Sequence, residues 1–287
     1  MEVILAKSAG FCFGVRRAVN EVYRCLEEEK DTPIYTFGPI IHNDEVVNDL
    51  KNKGVQVVDT LESLAALKKG IVIIRSHGVG RDTETKMREL GMRVIDMTCP
   101  FVKKIHRLVE EKSKEGYQIV IAGNPVHPEV VGIVGWSTDG ASVVKDAEEA
   151  QKLVLDPKKP VFVAAQTTFH YIKFQNIVDQ LEKKEYNINC VNTICNATRN
   201  RQEEAASLAA SVDGMLVIGG SHSSNTQKLL ETCRLRCERS VLVETPEDVP
   251  PDLAEADDRV ALTAGASTPQ WLLEQVRARI EENAKTR

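Results

Sequence analysis

Short apolar runs alternate with longer amphipathic segments along almost the whole chain. The runs at Ile71–Ile74, Gln118–Ala122 and Val161–Ala165 are bounded by residues that favour turns, such as Gly, Pro and Asn. The segments between such runs place apolar residues at helical spacing, as Val15, Val19 and Val22 do. Strand-like runs separated by helical segments predict an α/β fold with parallel sheets.

The order of elements repeats three times along the sequence. Each pass begins at a cysteine that stands between an apolar run and a helical segment. A polar loop follows each cysteine after 30, 28 and 28 residues, and a second polar loop follows the first after 35, 40 and 44 residues. Self-similarity at a period of about 90 residues predicts three structural repeats. The three cysteines are Cys12, Cys99 and Cys195.

The repeat predicts three α/β lobes. The first lobe covers 14–98, the second covers 99–194, and the third covers 195–287 together with 1–13. We assign the N-terminal strand to the third lobe because only 20 residues follow the second polar loop of the third pass. Because loops at the carboxyl ends of parallel strands form the ligand sites of such sheets, we expect the polar loops to form a site.

Composition and charge exclude several classes of protein. The formal net charge is -5, acidic and basic residues are interspersed, and aromatic residues make up 5% of the 287 residues. We therefore expect no nucleic-acid partner. Neither a membrane-spanning apolar run nor a secretory signal is evident, so we expect a cytoplasmic protein with no membrane partner. Seven cysteines cannot all pair within one chain, which argues against a disulfide framework.

The three repeated cysteines are candidate metal ligands. An isolated intracellular cysteine is more often a small buried apolar residue, but the shared repeat position argues for a common role. Three thiolates can bind Zn²⁺ or an iron-sulfur cluster. Each of these cysteines stands alone in the sequence, outside any Cys-x-x-Cys pair. If three thiolates held a cubane cluster, its fourth iron would have no protein ligand.

The polar loops carry hydrogen-bond donors that suit an anion such as diphosphate. Helix capping is the alternative role for Ser223, Ser224 and Asn225. Glu129 is the one carboxylate within a first-loop motif, and a carboxylic acid there suits protonation of a departing hydroxyl group. The alternative for Glu129 is a solvated loop acid or a negative charge at a helix N-terminus. The donor residues are His42, His77, His127, Thr167, Ser223, Ser224, Asn225 and Ser267.

Nine motifs, in order between residues 10 and 267, resemble those of the LytB-type 4-hydroxy-3-methylbut-2-enyl diphosphate reductases. They are Gly-Phe-Cys-Phe-Gly-Val-Arg-Arg-Ala, Ile-His-Asn, Arg-Ser-His-Gly-Val, Asp-Met-Thr-Cys-Pro, His-Pro-Glu-Val, Gln-Thr-Thr, Cys-Asn-Ala-Thr with Arg-Gln following, Ser-Ser-Asn-Thr and Thr-Ala-Gly-Ala-Ser. The resemblance covers nearly the full chain.

The resemblance implies an iron-sulfur oxidoreductase with the trefoil fold, in which three lobes surround a central cavity. It implies a [4Fe-4S] cluster on Cys12, Cys99 and Cys195, with one iron lacking a protein ligand. The implied reaction is the last step of the non-mevalonate isoprenoid pathway. It is the reductive dehydroxylation of (E)-4-hydroxy-3-methylbut-2-enyl diphosphate to isopentenyl and dimethylallyl diphosphates.

The resemblance also implies a role for each candidate residue. Two electrons pass through the cluster, supplied by a transient ferredoxin or flavodoxin partner, and Glu129 supplies a proton. Glu129 and Thr167 would face the hydroxyl end of the substrate. We expect no appended RNA-binding domain. The residues implied to hold the diphosphate are His42, His77, His127, Ser223, Ser224, Asn225 and Ser267.

Two other functions fit parts of the sequence. A redox-neutral hydro-lyase would use the open iron as a Lewis acid, but it would want arginines that bind carboxylates, for which Arg75 and Arg199 are weak candidates. A redox sensor or cluster carrier would need no substrate loops. The polar loops therefore favour the reductase.

Overall fold

We describe a computed structural model, which covers residues 1–67, 69–253 and 258–285. In these residues twelve strands form three four-stranded parallel sheets, each flanked by helices. The predicted α/β class is confirmed.

The first sheet lies within the first third of the chain. Its strands are β2 (Ile34–Phe37), β3 (Gln56–Val58), β4 (Ile71–Ile74) and β5 (Arg93–Asp96), in the order β3-β2-β4-β5. The connecting helices are α2 (Asp44–Asn52), α3 (Leu61–Ala65) and α4 (Arg81–Glu89). All four residues of β4 are fully buried, as the unbroken apolar run predicts for a central parallel strand.

The second sheet repeats this arrangement. Its strands are β6 (Gln118–Ala122), β7 (Ala141–Val144), β8 (Val161–Ala165) and β9 (Ile188–Cys190), in the order β7-β6-β8-β9. The connecting helices are α6 (Pro128–Val134), α7 (Ala147–Lys152) and α8 (Tyr171–Glu182). Every residue of β8 is buried, and the two faces of the sheet contribute to separate apolar clusters.

The third sheet joins the two ends of the chain. Its strands are β10 (Gly214–Ile218), β11 (Ser240–Val243), β12 (Arg259–Ala264) and the N-terminal strand β1 (Glu2–Leu5). Strand β1 pairs with β12 in parallel, from Glu2 opposite Arg259 to Leu5 opposite Leu262. The predicted place of the N-terminal strand is thereby confirmed, whereas the predicted lobe boundaries stay a prediction.

The remaining elements connect or flank the sheets. They are α1 (Phe13–Glu28), α5 (Pro100–Lys114), α9 (Asn196–Ala209), α10 (Ser224–Arg234), a 3-10 turn (Pro246–Asp248) and α11 (Gln270–Lys285). The chain divides into two compact units. One comprises 1–16, 41–48 and 196–287 and holds the third sheet, and the other comprises 17–40 and 49–195 and holds the first two.

All three sheets have the same strand order. If the strands of each sheet are numbered along its repeat, with β1 as the fourth strand of the third sheet, the order is 2-1-3-4 in every case. The chain leaves the first strand toward one side and returns to the third strand on the other side. The carboxyl ends of the first and third strands therefore flank a topological switch point, where open α/β sheets bind ligands.

Candidate functional site

The three repeated cysteines occupy equivalent positions in the backbone. Each is the residue directly before a long helix: Cys12 before α1, Cys99 before α5 and Cys195 before α9. Each backbone N–H donates to a carbonyl in the loop after the third strand of its sheet. The N···O distances are 3.1 Å to Ala266, 2.9 Å to Ser76 and 3.0 Å to Thr167, respectively. All three cysteines are partly exposed.

The helices that follow the cysteines begin without acidic residues. The first turns of α1, α5 and α9 contain no Asp or Glu, although a helix N-terminus favours negative side chains. Helix α9 begins at Asn196. Asn and Thr in its first turn have low helix propensity, so the pattern of residues alone does not reveal that turn.

Two candidate histidines approach each other within the unit that holds the first two sheets. His77 lies in the loop after β4 and His127 in the loop after β6, and their ring centroids are 5.4 Å apart in an edge-on arrangement. His127 caps α6, where its Nδ1 accepts the Glu129 backbone N–H at 3.1 Å. In a neutral ring the hydrogen is then on Nε2, which makes that atom a donor.

Glu129 and Thr167 form a buried pair in the same unit. One carboxylate oxygen of Glu129 accepts the Thr167 backbone N–H at 2.6 Å, and the other accepts the Thr167 hydroxyl at 2.8 Å. Glu129 is 2% exposed and Thr167 is 6% exposed. These two hydrogen bonds from Thr167 fix the orientation of the Glu129 carboxylate. Glu129 is therefore not the solvated loop acid that the sequence left open.

A buried histidine without a predicted role supports the His77 loop. Gly78 has φ +73°, and a Cβ there would lie 2.7 Å from Cε1 of His106. The His106 ring stacks on Trp136 with centroids 5.1 Å apart. Burial lowers the pKa of His106 to about 4. The nearby Asp96 carboxylate raises this pKa by a smaller amount, and the Lys103 ammonium group lowers it. His106 therefore packs as a neutral ring behind the loop.

The unit that holds the third sheet contains the other candidate donors. The Ser223 hydroxyl caps α10 by accepting the Thr226 backbone N–H at 3.3 Å. The Ser267 hydroxyl donates to the His42 carbonyl at 3.0 Å, so the structure links these two loops. Ser224 accepts a hydrogen bond from Lys228 at 3.0 Å. Capping thus accounts for Ser223 but not for the next residues.

Asn225 is one of several buried polar side chains in this unit that have an unsatisfied atom within the described residues, and both of its amide atoms are unsatisfied. It is 4% exposed, and neither its amide nitrogen nor its amide oxygen has a hydrogen-bond partner within the described ranges. A buried amide without partners lowers the stability of the folded protein by about 1–3 kcal/mol. The position of Asn225 therefore indicates that its amide binds a ligand. Helix α10 begins at Ser224, directly before Asn225, and a helix N-terminus suits an anion.

Several polar contacts escaped prediction from sequence. Arg17 donates to the backbone carbonyls of Asp96 and Thr98, and Arg201 donates to the carbonyl of Gly10. Glu204 accepts from the backbone of Lys7 and Ser8. The motifs contain both arginines, but their partners are distant in sequence, and periodicity carries no signal for such contacts.

The remaining four cysteines differ from the repeated three. Cys25, Cys233 and Cys237 are buried, and Cys190 is exposed at the end of β9. Cys233 and Cys237 pack in one apolar cluster, although α10 ends at Arg234 and Cys237 lies beyond it. Burial raises the pKa of the Cys233 thiol to about 12. These three buried cysteines act as apolar packing residues.

Fold and site together define a class: an α/β protein of repeated parallel sheets, with cysteines and neutral donors at the switch points. Such a protein is equipped to hold a thiolate-bound metal group and an anionic ligand. The family model for LytB protein matches residues 3–281, and the chain belongs to this family.

Relatives at high coverage carry one name. A 4-hydroxy-3-methylbut-2-enyl diphosphate reductase of Caldanaerobacter subterraneus subsp. tengcongensis is 44% identical over 281 residues, covering 98% of this chain and 97% of the relative. The reductase of that name from Geobacter metallireducens is 43% identical over 289 residues, and each chain is covered completely.

Solved structures agree with these relatives. The E-1-hydroxy-2-methyl-but-2-enyl-4-diphosphate reductase of Plasmodium falciparum superposes with a TM-score of 0.90 at 31% identity, covering 96% of this chain and 87% of that chain. A second structure, described as the terminal enzyme of the non-mevalonate pathway, gives a TM-score of 0.70 at 40% identity, covering 98% of this chain and 100% of that chain.

No helix in the described ranges combines the length and the apolar character that a membrane span needs.

Proposed function

We propose that this protein reduces (E)-4-hydroxy-3-methylbut-2-enyl diphosphate to isopentenyl and dimethylallyl diphosphates. Two electrons and two protons enter, the allylic C–O bond breaks, and water leaves. Besides family membership, the observation that carries this proposal is the buried Glu129 carboxylate, whose two oxygens accept hydrogen bonds from Thr167.

Cys12, Cys99 and Cys195 are the proposed ligands of a [4Fe-4S] cluster in which one iron has no protein ligand. The fit rests on two features of this chain: equivalent thiols before three helices, and first helical turns that lack acidic residues. Helix N-termini without carboxylates favour an added anionic group such as a thiolate-bound cluster. When bound, the cluster would pass the two electrons of the reaction from an external electron donor to the substrate.

The proposed diphosphate ligands are hydrogen-bond donors of the polar loops. Asn225 supports this role because its buried amide has no other hydrogen-bond partner in the part of the chain that the structure describes. His127 supports it because its Nδ1 accepts a backbone N–H, which leaves the hydrogen on Nε2. His42, His77, Ser223, Ser224 and Ser267 complete the proposed set.

Glu129 is the proposed source of the proton with which the substrate hydroxyl leaves as water. Thr167 donates to the carboxylate through its hydroxyl, so the lone pairs of Thr167 Oγ1 are available to accept a proton or a hydroxyl hydrogen. Thr167 thus orients Glu129 and offers a route from its carboxyl group to the substrate. A second proton, added at either end of the allylic carbons, gives the two products.

A small ferredoxin or flavodoxin is the proposed electron donor, and the cytoplasm is the proposed location. The hydro-lyase alternative finds little support in its candidate arginines. Arg199 pairs with Glu203 at 3.4 Å on the protein surface. Arg75 is largely buried against Gly38, and burial lowers its pKa.

Anaerobic purification followed by a dye assay tests the proposal. The wild-type protein should show cluster absorption and EPR signals and should oxidise a reduced viologen dye only when the hydroxylated allylic diphosphate is added. Cys195→Ser should lose the normal cluster signal, whereas Cys190→Ser, at an exposed cysteine outside the repeat, should retain it.

Two outcomes would contradict the reductase proposal. Cluster-loaded protein that oxidises no dye with this substrate would exclude reduction. Conversion of the substrate without any electron donor would instead favour the hydro-lyase. An unchanged spectrum and activity in Cys195→Ser would remove Cys195 from the ligand set.

A further inference from the structure

Arg201 holds the loop that precedes Cys12. It lies on α9, six residues after Cys195, and is 5% exposed. Its Nη2 donates to the carbonyl of Gly10 at 2.6 Å, and its Nη1 donates to Ala197 within the same helix at 3.2 Å. Gly10 is two residues before Cys12 and has φ +98°, a backbone conformation that glycine adopts readily and other residues rarely adopt.

Glu204 holds the same loop from one turn further along α9. Its carboxylate accepts the Lys7 N–H at 2.7 Å, the Ser8 N–H at 2.9 Å and the Ser8 hydroxyl at 2.5 Å. Arg201 and Glu204 are three residues apart and so share one face of the helix. This face therefore binds carbonyl and N–H groups of a single segment, residues 7–10, with two charged side chains.

Arg17 makes the corresponding contact for the loop that precedes Cys99. It lies on α1, five residues after Cys12. Its Nη2 donates to the carbonyls of Asp96 at 3.3 Å and Thr98 at 3.2 Å. The Asp96 carboxylate in turn accepts the Thr98 N–H at 2.9 Å and pairs with Lys103 at 2.5 Å. The helix after Cys195 thus holds the loop before Cys12, and the helix after Cys12 holds the loop before Cys99.

Helix α5, after Cys99, has no arginine at the matching positions. The residues five and six positions after Cys99 are Lys104, which is exposed, and Ile105, which is buried. The arginine contact thus exists for the loops of Cys12 and Cys99, and the sequence provides no counterpart for the loop of Cys195.

We infer that Arg201 and Arg17 are positioning residues that hold the loops of Cys12 and Cys99 in their ligand geometry before the cluster is bound. This inference rests on the proposed role of these cysteines as cluster ligands. Charge-assisted hydrogen bonds from a guanidinium to backbone carbonyls restrict loop motion, so less order has to be gained when the cluster arrives. Glu204 supports Arg201 in this role.

The test compares the alkylation rates of individual cysteines in the full-length protein without cluster. Arg201→Met should speed alkylation of Cys12 about tenfold, the change that loss of one charge-assisted hydrogen bond would cause, and should leave Cys99 unchanged. Arg17→Met should do the reverse. Arg199→Met and Arg16→Met, at exposed arginines on the same two helices, are the matched controls.

A second measurement follows cluster assembly. Arg201→Met and Arg17→Met should lower the iron bound per chain after anaerobic reconstitution and speed cluster loss to a chelator, and Arg201→Lys should restore part of the wild-type behaviour. Far-UV circular dichroism and thermal unfolding identify a variant that fails to fold, in which case Arg201→Lys and Glu204→Gln take its place.

The outcomes separate this inference from the proposed function. Equal acceleration at Cys12 and Cys99 in both variants, or no acceleration in either, would overturn the positioning role. Wild-type protein that binds no cluster would overturn the proposed function, while the alkylation rates would still report whether the arginines hold the two loops.

Discussion

Replacement of Glu129 by glutamine separates the chemical role of this residue from its structural role. Glu129→Gln keeps the size of the side chain and removes the acidic proton. The amide oxygen can still accept the Thr167 N–H, and the Thr167 hydroxyl can rotate to accept from the amide nitrogen instead of donating. Every buried group of the pair therefore keeps a partner.

The structure sets the size of both expected effects. Two charge-assisted hydrogen bonds of about 1.5–3 kcal/mol each become two neutral ones of about 0.5–1.5 kcal/mol, so the free energy of unfolding should fall by about 2–3 kcal/mol. Loss of a positioned general acid should lower turnover by about 10²–10⁴-fold, which corresponds to about 3–5 kcal/mol in the activation barrier. Activity should thus fall far more than folding can explain.

The assay combines dye oxidation, EPR and thermal unfolding on the same anaerobic samples. Glu148→Gln is the matched control, because Glu148 is exposed and pairs with Lys152 outside the site. Thr167→Val should also lower turnover, since it removes the hydroxyl that orients the carboxylate. Loss of the cluster in Glu129→Gln, or turnover within a few-fold of wild type, would refute the proton-donor role.

Three further predictions concern stability and binding. Asn225→Leu should raise the thermal midpoint of the apoprotein, because it removes a buried amide without partners in the described ranges. The same variant should bind inorganic diphosphate more weakly in calorimetry. A lowered midpoint with unchanged binding would contradict this prediction. Burial raises the pKa of Glu204, but hydrogen bonds from Ser8 and Lys7 lower this pKa by a larger amount. The net pKa is therefore below the ordinary value of 4.5. The stabilisation is therefore fully present above pH 4.5 and lost as the pH falls through the folded pKa, so the thermal midpoints of wild type and Glu204→Gln should converge in acid. His106 has a pKa of about 4 in the folded protein against 6.5 in the unfolded chain, so the unfolded chain takes up a proton first as the pH falls. The free energy of unfolding should therefore fall by up to about 3 kcal/mol between pH 6.5 and pH 4. His106→Phe should abolish this loss in urea titrations.

The sequence contained most of the information about secondary structure and about where the polar loops lie. Fully apolar runs such as Ile71–Ile74 and Val161–Ala165 predicted buried parallel strands, and both are central in their sheets. The regular spacing from each cysteine to its polar loops placed β1 in the last sheet, where it pairs with β12. Local patterns suffice for these features because burial and turn chemistry act on neighbouring residues.

Other features depend on contacts between residues far apart in sequence. Glu129 could have been a solvated loop acid, and only its approach to Thr167, 38 residues later, makes it a buried and oriented carboxylate. The first turn of α9 contains Asn196 and Thr198, whose low helix propensity gives no local signal for a helix there, and tertiary contacts override that propensity.

The amino-acid sequence by itself determined the α/β class, the threefold order of elements and the identity of the polar loops. Tertiary structure alone decided which side chains hold those loops in place, as Arg201 does for Gly10 across 191 positions of sequence. The physical reason is that periodicity records whether a residue faces the core or the solvent. It does not record which distant carbonyl group a buried charge will meet once the sheets have formed.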